Sequence, residues 1–326
     1  MSPSTMLLRL LLLGLVTGSL WAVDAVGGQK GERFSVIDTE HLRIYVPRGQ
    51  EERLRPLAQR ADQLFILMCT AARYQPRHRL RMIFDRRSGL HNGWSMQIPM
   101  PLVSIDLAAP PPESPLFAGP LHLERTLIHE FAHHISNDRN HGLRSWGERL
   151  FGRVLPDESL SLLVYLLTTP AHHTMPALWH EGLAQWAESA YLGPDTAWRG
   201  RGHDSLTHMI WRLDAADQAI PPVHTWRLGH VTWPYGQRAY DYGLAYMRHL
   251  IQATGVDPWR LVDDQARQKP FQFTDGSIAT TGHDHGVLLE QARAAIAELD
   301  GVELNGQSIQ VREERPRGKK RGGRRR

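Results

Sequence analysis

Two histidines four residues apart, His129 and His133, lie in the run TLIHEFAHHIS, and no other stretch constrains the fold as tightly. On an α-helix, residues at this spacing share one face, whereas along a strand they stand about 13 Å apart. Leu127, Ile128, Phe131, Ala132 and Ile135 give the other helical faces an apolar character, so the spacing predicts a buried helix. A chain that buries this helix must also compensate two imidazoles inside its core.

His129, Glu130 and His133 form the pattern HExxH, in which two imidazoles converge on one metal ion. Zinc suits them: it accepts nitrogen and oxygen ligands, and catalytic sites take three protein ligands with water in the fourth position. Glu130, about 100° further round the helix, reaches that water rather than the ion. The segment ALWHEGLAQWAES offers Glu181 as third ligand; taken alone, it also fits a first-turn glutamate favoured by the helix dipole. Gly182 and Ala184 are small enough for this second helix to pack closely on the first.

Neighbouring residues carry further expectations. Glu188, seven residues after Glu181, returns to the same face and suits the carboxylate that orients a ligand histidine, a solvated glutamate being the alternative. His134 points about 100° away from His133, behind the pair or at the surface. His172, His173 and His180 are expected to be solvent-exposed although they could approach the cleft.

The chain has 326 residues with one cysteine, so no internal disulfide forms, and Cys69 in LFILMCTAA reads as a small buried hydrophobe. Residues 1–25 have the three parts of a secretory signal: Arg9, a Leu-rich stretch too short to span a bilayer, and small residues before Ala25. Export follows as an expectation, to a bacterial periplasm or to the exterior. From Arg312 to Arg326 nine basic and two acidic residues give +7 against +4 for the whole chain, which leaves the rest at −3. The basic character thus belongs to a tail, read as disordered over 302–326 and suited to an anionic surface or polymer.

Between the two ends the pattern is α+β. FSVIDTEHLRIYV reads as one or two strands, 51–72 as an amphipathic helix and LRMIF (80–84) as a buried strand. NGWSMQIPMPLVSIDL (92–107) reads as an edge strand because of Pro99 and Pro101. The Pro-rich stretch near 109–115 closes a small N-terminal α/β part (26–115). A mostly helical body (116–301) follows, with helices expected at 121–137, 178–191, 204–216, 238–254 and 286–299 and a variable insert between the first two. In that insert LSLLVYLLT (160–168) reads as a buried helix over the cleft, with a membrane-interface contact as the alternative.

HEFAH followed by WHEGLAQWAE resembles the gluzincin metallopeptidases of the peptidase MA clan, in which a glutamate in a W-x-x-E-G-[LF]-A segment completes HExxH. AYDYGLAYMRHL resembles the Y-x-x-G helix start of those enzymes, and NGWSMQIPMPLVSIDLAAPPP resembles the edge-strand segment of an exported bacterial subgroup. The resemblance implies a zincin body with one zinc ion on His129, His133 and Glu181. It further implies Glu130 as general base, and Tyr240 as the hydrogen-bond donor to the tetrahedral intermediate, with Gly243 at the motif's glycine. Tyr242 is the rival of Tyr240, and residues two apart on a helix face different sides.

The implied activity is zinc-dependent hydrolysis of a peptide or protein laid along the edge strand between Met96 and Ile105. The 47 residues between His133 and Glu181 exceed the aminopeptidase N gap, and the G-x-M-E-N strand that recognises a free amine is absent. A different class remains open: a non-catalytic, zinc-stabilised binding or assembly protein of the cell envelope.

Overall fold

A computed structural model describes residues 33–85, 92–98, 100–111, 121–151, 158–192, 200–203, 205–226, 237–268 and 273–298. The signal segment and the basic tail lie outside the described residues. The expected α+β architecture is observed, a small mixed sheet followed by a mostly helical body.

Strands β1 (Phe34–Asp38) and β2 (Leu42–Pro47) pair antiparallel. In β2, Leu42, Ile44 and Val46 are buried while the residues between them are not, the period of two that a one-sided strand requires. β3 (Leu80–Asp85) lies parallel to β2, a connection that needs a crossover, and helix α1 (Glu51–Ala71) supplies it. One face of α1 buries Ala58, Ala61, Leu64, Phe65, Met68 and Cys69.

The stretch expected to form one edge strand is instead two: β4 (Gly93–Met96) and β5 (Leu102–Asp106). The sheet order β1-β2-β3-β5-β4 places β5 inside, parallel to β3 and antiparallel to β4, with all five residues buried. Of these two, only β4 lies at an edge. A proline contributes no backbone N–H, and here it marks the break between two strands.

The body contains α2 (His122–Asn137), α3 (Gly142–Phe151), α4 (Ser159–Thr168), α5 (Ala177–Tyr191) and α6 (Ser205–Ala216). It continues with α7 (Arg238–Thr254), α8 (Pro258–Ala266), α9 (Phe273–Thr281) and α10 (His285–Ala297). The five expected helices appear within two residues of their expected ends. Helix α8 was not anticipated, although its start signals are legible: Pro258 at the first helical position, and an Asp257 carboxylate that accepts from Trp259 N–H.

Helix α4 is a correction to the expected buried packing. Leu162 and Tyr165 face inward, but Leu160, Leu163, Val164 and Leu167 are exposed, the consequence of an apolar helix with packing on one side only. Among the described residues no helix is long and apolar enough to cross a membrane.

One core joins sheet and body. Phe65 of α1 meets Phe131 of α2 at 5.1 Å between ring centroids, and the cluster continues through Leu178 and Trp179 to Tyr246 and Leu288. Gly182 does not serve the α5–α2 contact as expected. It serves the crossing of α5 with α7: a Cβ there would lie 2.3 Å from the Gly243 carbonyl oxygen, and a Cβ on Gly243 would lie 2.4 Å from the Leu178 oxygen. This backbone-to-backbone crossing sets the start of α7 beside Glu181.

Candidate metal centre

Helix α2 is buried almost all round, so His129 and Glu130 are held inside the protein at 6% and 3% exposure. His133 Nε2 lies 3.1 Å from His129 Nε2, and Glu181 Oε2 from α5 lies 3.1 Å from His129 Nε2 and 3.5 Å from His133 Nε2. Donors each about 2.0–2.1 Å from a tetrahedral ion stand about 3.3–3.4 Å apart, so these separations fit a single zinc. One ligand atom from each residue lies within 4.8 Å of the others, and the three form a buried cluster able to chelate a metal ion.

The charges support the same conclusion. Burial opposes charge on Glu181, but the facing His133 and His129 imidazoles prevail and hold its carboxyl well below the ordinary range. Burial likewise opposes charge on His129, and hydrogen bonds to Glu181 and Glu188 outweigh it and lift the imidazole to about 9. The pocket between the three side chains favours positive charge, which a proton or a cation can provide.

Glu188 fulfils the orienting role anticipated for it and is not solvated. It is fully buried, and its Oε1 lies 2.8 Å from His129 Nδ1. A carboxylate only accepts, so Nδ1–H donates to Glu188, and the Nε2 side of the ring faces Glu181 and His133. Glu188 in turn is paired with Arg201, a residue the sequence reading missed.

Glu130 lies beside the triad and against the edge strand β4. A Cβ on Gly93 would sit 2.6 Å from Glu130 Cγ, so β4 approaches this glutamate as closely as it does only because residue 93 is glycine. Burial raises the Glu130 carboxyl above its ordinary value. Among the described residues its buried Oε2 has no hydrogen-bond partner, which leaves one acceptor for a water or substrate.

The two tyrosines separate cleanly. The Tyr240 ring stacks on His129 at 6.2 Å, and burial, with the nearby Glu181 carboxylate, raises its phenol above the ordinary value. Tyr242 faces the opposite side, where its hydroxyl donates to the Asp214 carboxylate and its ring stacks on Trp226 at 4.6 Å.

Of the other histidines, His134 takes the buried one of its two expected placements, and the three after it depart from expectation. His134 is buried, lies against Phe65 and Tyr74, and its Nδ1 receives the Gln97 amide at 3.2 Å, which ties the end of β4 to α2. His172 is fully buried, and His173 and His180 are partly so, not solvent-exposed as expected. His173 Nε2–H donates to the Asn137 carbonyl at 2.7 Å, and Tyr165 donates to its Nδ1 at 3.2 Å. Burial, reinforced by Arg144, pushes His173 down to about 3. Among the described residues, the only histidines that join a carboxylate in a metal-holding group are His129 and His133.

No protein-family model matches this chain, and a search of curated proteins finds no match. The chemistry of the site therefore rests on its own geometry.

Proposed function

We propose that this chain is an exported zinc metallopeptidase of the gluzincin type. The observation that carries the reading is the convergence of His129, His133 and Glu181 donor atoms beside the buried Glu130 carboxylate with its unpartnered oxygen. His129, His133 and Glu181 would hold the ion; when bound, zinc would polarise a substrate carbonyl and acidify a water molecule.

The chain's own groups take the remaining roles. Glu130, its carboxyl raised by burial, accepts a proton from the attacking water and returns it to the leaving amine. Tyr240, kept protonated by burial, donates a hydrogen bond to the developing oxyanion. Glu188 fixes the His129 ring. Substrate backbone would pair with the edge of β4 (Gly93–Met96) that no strand among the described residues occupies, the strand that touches Glu130; this moves docking ahead of the segment anticipated between Met96 and Ile105, with which β4 shares only Met96. Residues 1–25 would direct export, and the basic tail would add salt-sensitive contact with anionic surfaces.

The test is metal analysis and peptide hydrolysis on the mature protein, with and without a chelator. Glu130→Gln should abolish turnover and keep the metal, whereas Glu181→Ala should lose the metal. Full zinc occupancy in the second variant would overturn the ligand assignment. Zinc without turnover in the native protein would transfer the conclusion to the non-catalytic envelope protein. Deletion of residues 312–326 should weaken binding to anionic vesicles and spare hydrolysis of a small neutral peptide.

A further inference from the structure

The short helical turn Arg201–His203, ahead of α6, is built around one side chain. Gly200 has φ +79°, and a Cβ there would lie 2.7 Å from both the Glu188 carbonyl carbon and the Ser189 nitrogen. A Cβ on Gly202 would lie 2.4 Å from Ser189 Oγ, which instead accepts the Gly202 N–H at 2.9 Å. Two glycines thus press this backbone onto α5 where any side chain would collide, and the residue between them, Arg201, enters the protein at 8% exposure.

Inside, Arg201 surrounds the Glu188 carboxylate. Its Nε donates to Oε1 at 3.2 Å and to Oε2 at 3.0 Å, Nη2 pairs with Oε1, and the Arg201 backbone N–H reaches Oε2 at 3.4 Å. With the Gln185 amide oriented so that both its ends are satisfied, its oxygen accepts from the second guanidinium arm at 3.0 Å and its nitrogen donates to the Tyr240 carbonyl at 3.1 Å. The guanidinium carbon also lies 5.5 Å from the Tyr240 ring centroid.

We propose that Arg201 is a positioning residue of the metal centre: it fixes the Glu188 carboxylate in the one orientation that receives His129 Nδ1–H, so zinc affinity depends on a side chain that touches none of the three donor atoms. The inference rests on the zinc reading of the triad. A carboxylate stripped of Arg201 keeps the His129 contact but loses the bonds that define its plane, and the imidazole loses its fixed rotation. The planar fork matters as well as the charge, because two parallel donors set an orientation that a single ammonium does not.

The experiment measures zinc affinity of the full chain by chelator competition, with circular dichroism to verify folding. Arg201→Met should weaken zinc about 10–100-fold, and Arg201→Lys should recover part of that loss. In a Glu188→Gln background, Arg201→Met should cost much less than in the native one, because the arginine acts mainly through that carboxylate and meets the His129 ring itself only at Nδ1, 3.0 Å from Nη2. Native affinity in folded Arg201→Met, or an equal cost in both backgrounds, would overturn the proposal. If Arg201→Met does not fold, Arg201→Lys makes the same comparison: a larger loss of zinc binding in the native background supports the proposal, and an equal effect in both overturns it. A native chain that binds no zinc would overturn the zinc reading together with this inference, whereas native zinc binding with Arg201→Met at parity would overturn this inference alone.

Discussion

Gly182→Ala sets local propensity against packing. In an exposed helix interior, alanine for glycine stabilises by about 1 kcal/mol. Here the added Cβ would lie 2.3 Å from the Gly243 oxygen and 2.5 Å from its carbonyl carbon, both backbone atoms of α7. Ordinary contact needs about 3.4 Å, so the helices must separate by about 1 Å, an overpacking that costs about 1–3 kcal/mol and outweighs the propensity gain. Less the propensity gain, the net loss of up to about 2 kcal/mol should lower the melting temperature by up to roughly 8 °C. The same displacement separates Glu181 of α5 from Tyr240 of α7, and a shift of this size at a reacting centre costs about 100-fold in rate. Thermal unfolding and peptide hydrolysis of the variant check both figures. A variant that melts at or above the native temperature with native turnover would refute the argument that the glycine pair positions the site.

Three further outcomes follow from the geometry. Gly93→Ala would drive a Cβ into Glu130 Cγ at 2.6 Å, so turnover should drop about 100-fold with zinc retained; an unchanged rate would deny β4 any part in placing Glu130. Tyr240→Phe should cost about 100-fold in kcat with zinc retained, whereas Tyr242→Phe should leave kcat alone and cost about 1–3 kcal/mol of stability through the orphaned Asp214 carboxylate; the reverse pattern would exchange their roles. His173 titrates near 6.5 when unfolded and at about 3 when folded, so the folded state resists its protonation. Its share of stability is intact above pH about 6.5 and declines toward pH about 3, on the order of 1–2 kcal/mol between pH 7 and 5. Urea unfolding of His173→Gln should show a correspondingly shallower loss over that interval, and a slope equal to the native one would remove His173 from the account.

The local patterns proved legible where one element defines them. HExxH, the apolar faces of α2, the period of β2 and the proline-interrupted segment all announce their conformation within a few residues, because helix and strand periodicities are local properties. Glu188 was also legible, since seven residues return to one helical face. The reading failed where a residue's meaning depends on a partner distant in sequence. Gly182 was assigned to the wrong helix because small size shows that something approaches closely and not what does. The prolines at 99 and 101 showed that pairing is interrupted, but only the sheet order placed β5 in the interior and β4 at the edge.

The chain by itself determined that a buried helix must carry two imidazoles on one face, able to share a cation, and that a neighbouring glutamate is available to join them. That much follows from 3.6 residues per turn and the cost of burying unpaired polar groups. The tertiary structure decided which tyrosine stands beside the cluster, which strand edge faces Glu130, and that Arg201, 72 residues from His129, completes the arrangement around it. These are consequences of how α5, α7 and the glycine turn pack. Side-chain convergence of this kind depends on backbone approach distances that a one-dimensional pattern does not contain.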